Sequence, residues 1–231
     1  MDAILQLSQV TKVYGQGDVK VKALRGINLE LKEGEFTAMA GPSGSGKSTL
    51  LNIVGALDRA TSGSIRVDGH NLSTLSNTML SALRRNRIGF VFQNFNLIPV
   101  LTAYENAEYV LMLQKVPPHL RREKVLRLLA EVGLKGMENR FPRELSGGQQ
   151  QRVAIARAIV SEPALVLADE PTANVDSETA FSLINLMERM NLEKRVTFLF
   201  STHDHSVMKR AQRIILLKDG AIAYDGSPAD L

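Results

Sequence analysis

Apolar residues recur along this chain in two rhythms. Ile4–Val10, Ile27–Leu31 and Phe36–Ala40 are short apolar or alternating runs and predict strands, with Gly15 and Gly34 at turns. The run from Lys47 to Val54 predicts a helix, Thr74–Arg85 a second one, and Ile65–Val67 and Ile88–Phe92 further strands. Between 94 and 145 the strand signal fades. Pro99, Pro117, Pro118 and Pro142 punctuate helical stretches there, and His119–Val132 places Val125, Leu128, Leu129 and Val132 on one face. From Gln150 onward helix and strand alternate again, with apolar strands at Ala164–Glu170, bounded by Pro163 and Pro171, and at Phe198–Phe200. That alternation predicts a parallel sheet, hence an α/β protein. Neither internal repeats nor low-complexity segments are visible.

Composition narrows this picture only a little. With 231 residues the chain suffices for one large domain or two closely packed lobes. Its 44% hydrophobic and 23% charged content is that of an ordinary globular protein. No apolar run reaches the roughly 18 residues of a membrane span, and Met1–Leu5 lacks the basic start and long apolar stretch of a signal peptide. The absence of cysteine excludes disulfides and thiol chemistry and fits a reducing compartment. A net charge of +4 is modest and reads as a solvated surface. These features predict a soluble, cytosolic chain.

The candidate chemistry begins where the third strand ends. Gly41-Pro42-Ser43-Gly44-Ser45-Gly46-Lys47-Ser48-Thr49 has the Gly-x4-Gly-Lys-Ser/Thr pattern of a nucleoside-triphosphate cradle, between a predicted strand and a predicted helix. Glycines let the backbone turn its N–H groups onto phosphate oxygens, and the helix start adds unpaired amides and the positive dipole end. Lys47 then reaches the β- and γ-phosphates, and the Ser48 hydroxyl is placed to ligate Mg2+. A nucleoside triphosphate with Mg2+ is therefore expected. Asp169 and Glu170 are the last two residues of an apolar strand, at the carboxyl end where α/β sheets bind ligands. Adjacent strand residues face opposite ways, which predicts separate tasks: Asp169 at Mg2+ and Glu170 on the attacking water. His203, after Phe198-Leu-Phe-Ser-Thr, is either structural or a donor to the γ-phosphate. Gln93, after the strand of Ile88–Phe92, could reach Mg2+ or the water, and Tyr14 offers a ring for adenine to stack on.

Ser146-Gly147-Gly148-Gln149 opens another helix. Ser146 and Gln149 form a capping box, Ser-x-x-Gln, but two glycines in a first turn cost about 1 kcal/mol each against alanine. Close approach by something else would account for them. Bare amides and a serine hydroxyl make a second anion site, and two such sites in one chain suggest a dimer with nucleotide sandwiched between copies.

Together these segments resemble the nucleotide-binding subunit of an ATP-binding cassette (ABC) transporter, over nearly the whole chain, with Leu145-Ser146-Gly147-Gly148-Gln149 as the specific signature. The resemblance implies a RecA-like P-loop NTPase core with an antiparallel β subdomain and an inserted helical subdomain. It divides one ABC ATPase domain over 1–231 into core and β subdomain (1–93 and 151–231) and a helical subdomain carrying the signature (94–150). It implies that Tyr14 stacks adenine, Gln93 senses nucleotide, Asp169 holds Mg2+, Glu170 is the catalytic glutamate, Asp176 crosses a dimer interface and His203 is a switch. Catalysis would then rest on Lys47, Gln93, Glu170 and His203. Ala23–Asn28, Gly41–Ile53, Leu57–Gly63 and Phe95–Thr102 are similar to the lipoprotein-release, macrolide-efflux and cell-division group, with Ala173 and Val175 standing where glycine and leucine are usual.

What this resemblance implies is that the triphosphate is ATP and that the protein acts as an ATPase dimer, of one or two kinds of cassette, driving integral membrane permease subunits from the inner face of the cell membrane. A regulatory role in cell division is the alternative. Nucleic acid is not expected as a partner, because no long heptad insertion separates Lys47 from Leu145. The apolar run Phe95–Leu101 is expected to wall a groove for a permease helix.

Overall fold

The computed structural model describes residues 3–16 and 19–230. The chain ends assigned above to the domain, Met1, Asp2 and Leu231, lie outside the described residues.

Among the described residues, ten strands form two sheets. β1 (Ala3–Gln16), β2 (Val19–Lys32), β4 (Ser62–Val67) and β5 (His70–Asn71) make an antiparallel sheet in the order β2-β1-β4-β5. The second sheet has the order β10-β9-β3-β8-β7-β6, from β3 (Phe36–Ala40), β6 (Ile88–Val91), β7 (Leu165–Ala168), β8 (Thr197–Ser201), β9 (Arg213–Lys218) and β10 (Ala221–Gly226). All its pairings are parallel except β9 with β10.

The pleat of the parallel strands feeds two cores. Phe36, Ala38, Ala40, Val166, Ala168, Phe198 and Phe200 point into one, where the Phe36 ring lies 4.8 Å from Phe200 and 5.6 Å from Phe198. Met39, Leu165, Leu167 and Leu199 point into the other, under the antiparallel sheet. Covering on both faces is why these strands read as unbroken apolar runs.

The first core is closed by α3 (Ala103–Leu113), α4 (Pro118–Glu131), α5 (Gly147–Ile159) and α6 (Ser177–Lys194). The stripe expected on the fourth helix is there: Val125, Leu128, Leu129 and Val132 are all buried. α1 (Lys47–Val54) and α2 (Asn77–Arg87) pack on the second core, and α7 (His205–Met208) is a single turn. α5 runs unbroken through residue 150, the boundary expected between helical and core segments.

Several local expectations shift. Gly15 is not at a turn: it sits inside β1 opposite Lys20, because pairing with β2 carries the strand on to Gln16. The helix expected from Thr74 starts at Asn77, since the Asn71 side chain captures the Ser73 amide and hydroxyl in a short 3-10 turn and Ser76 caps the helix proper. Asp169 and Glu170 lie beyond β7 rather than in it, and Glu170 adopts a left-handed φ of 45°. Their divergence comes from that kink, not from strand alternation. Gln93 likewise lies beyond the end of β6.

Candidate nucleotide-binding site

The carboxyl ends of β3, β6, β7 and β8 meet along one edge of the parallel sheet, and the chain after each carries a candidate residue. The loop from β3 to α1 is the centrepiece. Gly41 has φ 143°, and a Cβ there would lie 2.2 Å from the Leu217 carbonyl oxygen of β9. Gly46 has φ 106°, with the Ala23 carbonyl oxygen of β2 at 2.7 Å from a Cβ. Both positions exclude a side chain by conformation and by space. Gly46 is also the N-cap of α1 and brings no side-chain acceptor, so the first-turn amides have no side-chain cap.

Lys47, 9% exposed, reaches back across the loop and donates from Nζ to the Gly41 and Pro42 carbonyl oxygens at 2.7 and 3.1 Å. The Ser45 hydroxyl is buried and has no hydrogen-bond partner among the described residues. Glycine backbone, uncapped amides, a buried ammonium and an unmatched hydroxyl fit a polyphosphate.

Beside the loop, the Ser48 hydroxyl donates to Asp169 Oδ1 at 3.2 Å. Ser201, fully buried at the end of β8, donates to the same Asp169 oxygen at 2.6 Å and accepts the Glu170 N–H at 2.9 Å. One hydroxyl thus fixes the carboxylate and the strained residue after it. Glu170 Oε2 lies 2.9 Å from His203 Nδ1, so His203 is not the packed structural histidine that its strand-end position allowed; its side chain is 72% exposed. Among the described residues no three His, Cys, Asp or Glu side chains converge to hold a metal. The available donors are the Ser48 hydroxyl and the Asp169 carboxylate, hard oxygens that suit Mg2+, which keeps water and substrate phosphate as its other ligands.

Tyr14 is half exposed near the end of β1. Its hydroxyl donates to Asp58 Oδ2 at 2.8 Å, Lys12 binds the other Asp58 oxygen at 2.7 Å, and the Lys12 ammonium sits 4.6 Å from the Tyr14 ring centre. Burial alone would raise the Asp58 carboxyl; Lys12, the Tyr14 hydroxyl and the Arg59 amide outweigh it and hold the group below the ordinary carboxylate range. A ring anchored this way offers one fixed, flat, cation-backed face.

The signature lies apart from this cluster, with no hydrogen bond between Ser146–Gln149 and Gly41–Thr49 among the described residues. The capping box is formed in both directions: Gln149 N–H to the Ser146 hydroxyl at 3.3 Å, and Ser146 N–H to Gln149 Oε1 at 2.9 Å. The two glycines differ. A Cβ on Gly148 would meet Thr179 Cγ2 at 2.3 Å, so α6 of the same chain explains that residue. A Cβ on Gly147 would meet nothing closer than 3.5 Å, ordinary contact, and the chain itself does not require glycine there. Asp176 caps α6; hydrogen bonds from the Thr179 side chain and amide hold its exposed carboxyl below the usual range. Gln93 is exposed in the turn after β6, where Asn174 Nδ2 donates to its carbonyl oxygen at 3.0 Å.

Sequence reasoning missed Ser201, Gln151 and Asn174. Ser201 gave one signal, a polar residue closing the apolar run Phe198–Phe200, while Gln151, between Gln150 and Arg152, and Asn174 gave none. A cavity of about 540 Å3 opens at the opposite edge of the sheet beside Arg87, Arg127, Pro163 and Arg195, and none of the candidate residues lines it.

A parallel sheet with a glycine cradle after β3 and two carboxylates after β7 defines a P-loop nucleoside-triphosphatase. With the signature helix, the comparisons narrow the class: the ABC transporter family profile matches residues 24–173, and the chain belongs to that family as an ATP-hydrolysing cassette. MJ0796 of Methanocaldococcus jannaschii, an uncharacterized ABC transporter ATP-binding protein, is 45% identical over 95% of both chains. A dimeric structure of that cassette in a post-hydrolysis state bound to ADP and Pi aligns with a TM-score of 0.90, covering 97% of this chain and 98% of that one. The macrolide export ATP-binding/permease protein MacB of Hyphomonas neptunium is 46% identical over 96% of this chain, which spans only 34% of MacB's length. The lipoprotein-releasing system ATP-binding protein LolD of Geobacter metallireducens is 44% identical over 97% of this chain and all of its own.

Proposed function

We propose that two copies of this cassette close around two ATP molecules, each held by the Gly41–Thr49 loop of one copy and the Ser146–Gln149 helix start of the other, and that closure moves membrane permease subunits. Lys47 and the loop amides hold the phosphates, Tyr14 stacks the adenine, and Gln93 and His203 flank the γ-phosphate. Glu170 takes the proton of the attacking water as the terminal phosphate is lost. Mg2+, held by Ser48 and Asp169 with Gln93 near by, supplies positive charge against the phosphate oxygens when bound. Asp176 lies at the meeting surface of the copies, and the helical segment 94–150 carries the signature toward the other copy's nucleotide. Closure is driven only by the difference between ATP and ADP in stabilising the shut pair.

Gly147 carries this reading, because an uncrowded glycine in a first turn is explained by an approach from outside the chain. Gly147→Ala is expected to unfold at the same or a higher temperature, since alanine gains about 1 kcal/mol in a helix, yet to weaken ATP-dependent dimerisation about tenfold or more. Gly148→Ala is expected to lose about 1–3 kcal/mol of stability as Thr179 is displaced. Thermal unfolding and size-exclusion chromatography with ATP read both, and an unimpaired Gly147→Ala dimer would count against the sandwich.

A groove of about 350 Å3 supports the permease partner. Leu57, Val110 and the stacked rings of Phe90 and Phe92 line it beside Arg84 and Arg157, with no carboxylate in the lining. Arg157 donates to the Phe95 and Asn96 carbonyl oxygens, but of the Phe95–Leu101 run expected to wall the groove only Asn96 lines it, while Leu97 packs on the first core. An apolar helix bearing an acidic residue fits such a surface, and a permease of the lipoprotein-release or macrolide-efflux kind is the proposed source, holding the cassette on the inner face of the membrane. No helix among the described residues is long and apolar enough to cross a membrane. Leu57→Glu, at a side chain 48% exposed, is expected to abolish co-purification with the cognate permease and leave basal ATP hydrolysis intact; undiminished co-purification would remove the groove from the proposal.

A further inference from the structure

We propose that Gln151 is a positioning residue for hydrolysis: its side-chain amide clamps the segment carrying Glu170 to the turn carrying Gln93, so that α5, which begins at the signature, sets the water-activating carboxylate. This rests on the assignment of Glu170 made above and goes beyond it.

Gln151 is fully buried, one turn into α5. Its Nε2 donates to the Pro171 carbonyl oxygen at 2.6 Å and, more weakly, to the Phe92 carbonyl oxygen at 3.5 Å. Pro171 directly follows Glu170, and Phe92 directly precedes Gln93. A single amide therefore joins the two chain segments that leave β6 and β7 at the nucleotide edge. Asn174 adds a second tie, from Nδ2 to the Gln93 carbonyl oxygen at 3.0 Å and to Asn94 Oδ1 at 2.8 Å. The turn is thus held by successive carbonyls, and both ties end within four residues of Glu170.

Gln151 Oε1 is buried with no partner among the described residues. An unmet buried acceptor costs about 1–3 kcal/mol, which makes an amide a poor choice for packing alone. α5 is a rigid source for the tie, because it lies so close to β6 that a Cβ on Gly89 would fall 2.3 Å from the Ala158 carbonyl oxygen. Glu170 sits at a strained φ of 45°, a conformation that persists only while its neighbours hold it. The same turn leads to Asn96, which lines the groove with Phe92, so a displacement there would reach Glu170 through these bonds.

The test is Gln151→Met, which keeps volume and removes the donor, and Asn174→Asp, at an exposed position where folding is not at risk. For Gln151→Met the expected result is a roughly tenfold to hundredfold lower kcat with KM for ATP within about twofold, in line with the cost of small misplacements. Asn174→Asp is expected to show the same split with a smaller, severalfold loss. In single-turnover assays with radiolabelled ATP, adding Gln151→Met to Glu170→Gln is expected to lower the residual rate no further, because residues acting as a unit are not additive. A merely structural role would give an additive loss, or a change in ATP affinity with kcat kept, and either overturns the proposal. Wild-type kcat in both single variants overturns it too while leaving Glu170 in place, whereas wild-type turnover in Glu170→Gln itself removes the assignment on which it stands.

Discussion

Glu170→Gln is expected to keep ATP bound, to lower kcat by about 10²–10⁴-fold, and to accumulate a dimer that elutes early only when ATP is present. The size follows from what the carboxylate does and what the amide cannot. A positioned general base contributes that factor, and glutamine keeps the shape and the hydrogen bond toward His203 while losing the ability to take a proton. The scaffold should tolerate the change, because the tie at residue 170 to Ser201 runs through the backbone N–H. ATP affinity should stay put, since the proposed seat of the phosphates is the loop after β3, not Glu170. A γ-phosphate that cannot be cleaved leaves the closed pair without its route to opening. Phosphate release near the wild-type rate, or the same elution with ADP as with ATP, would sink the assignment.

Lys47→Ala is expected to act one step earlier. The ammonium is buried and already gives hydrogen bonds to two carbonyl oxygens of its own loop, so it is fixed where phosphate oxygens would lie. Charge-assisted hydrogen bonds contribute about 1.5–3 kcal/mol each, so removing them should weaken ATP binding roughly tenfold to a few hundredfold. The variant loses the contacts that brace the empty loop as well, so some loss of thermal stability is expected even without nucleotide. The decisive readout is therefore the gain in melting temperature on adding ATP, large in the wild type and nearly absent in the variant. Unchanged affinity by equilibrium titration would contradict the cradle. The two variants separate cleanly: Glu170→Gln keeps ATP binding and loses turnover, whereas Lys47→Ala loses affinity first.

Much of the site was legible residue by residue because its chemistry is local. The glycines at 41, 44 and 46, the lysine and the hydroxyl next to them act within one turn of chain. The side-chain caps of α5 and α6 likewise join residues three apart. The apolar runs of β3, β7 and β8 announced a sheet covered on both faces. Where prediction slipped, a longer-range partner decided. Gly15 had the look of a turn, yet pairing with Lys20 keeps it in a strand. Alternation along a strand was the reason given for separating Asp169 from Glu170, but both stand past its end, and a left-handed residue held by Ser201 does the separating.

Sequence alone determined the family to which this chain belongs and named the residues proposed to hold its nucleoside triphosphate, because cradle and signature are contiguous segments whose conformations follow from their own glycines, caps and charges. Tertiary structure alone decided how those segments act together. Ser48 reaches Asp169 across 121 residues of sequence, Ser201 and Gln151 tie loops from different strands, and Gly148 answers to Thr179 while Gly147 answers to nothing within the chain. Such pairings depend on strand order and on the register of β6, β7 and β8, which arise when two cores close on opposite faces of one sheet and which no local preference encodes.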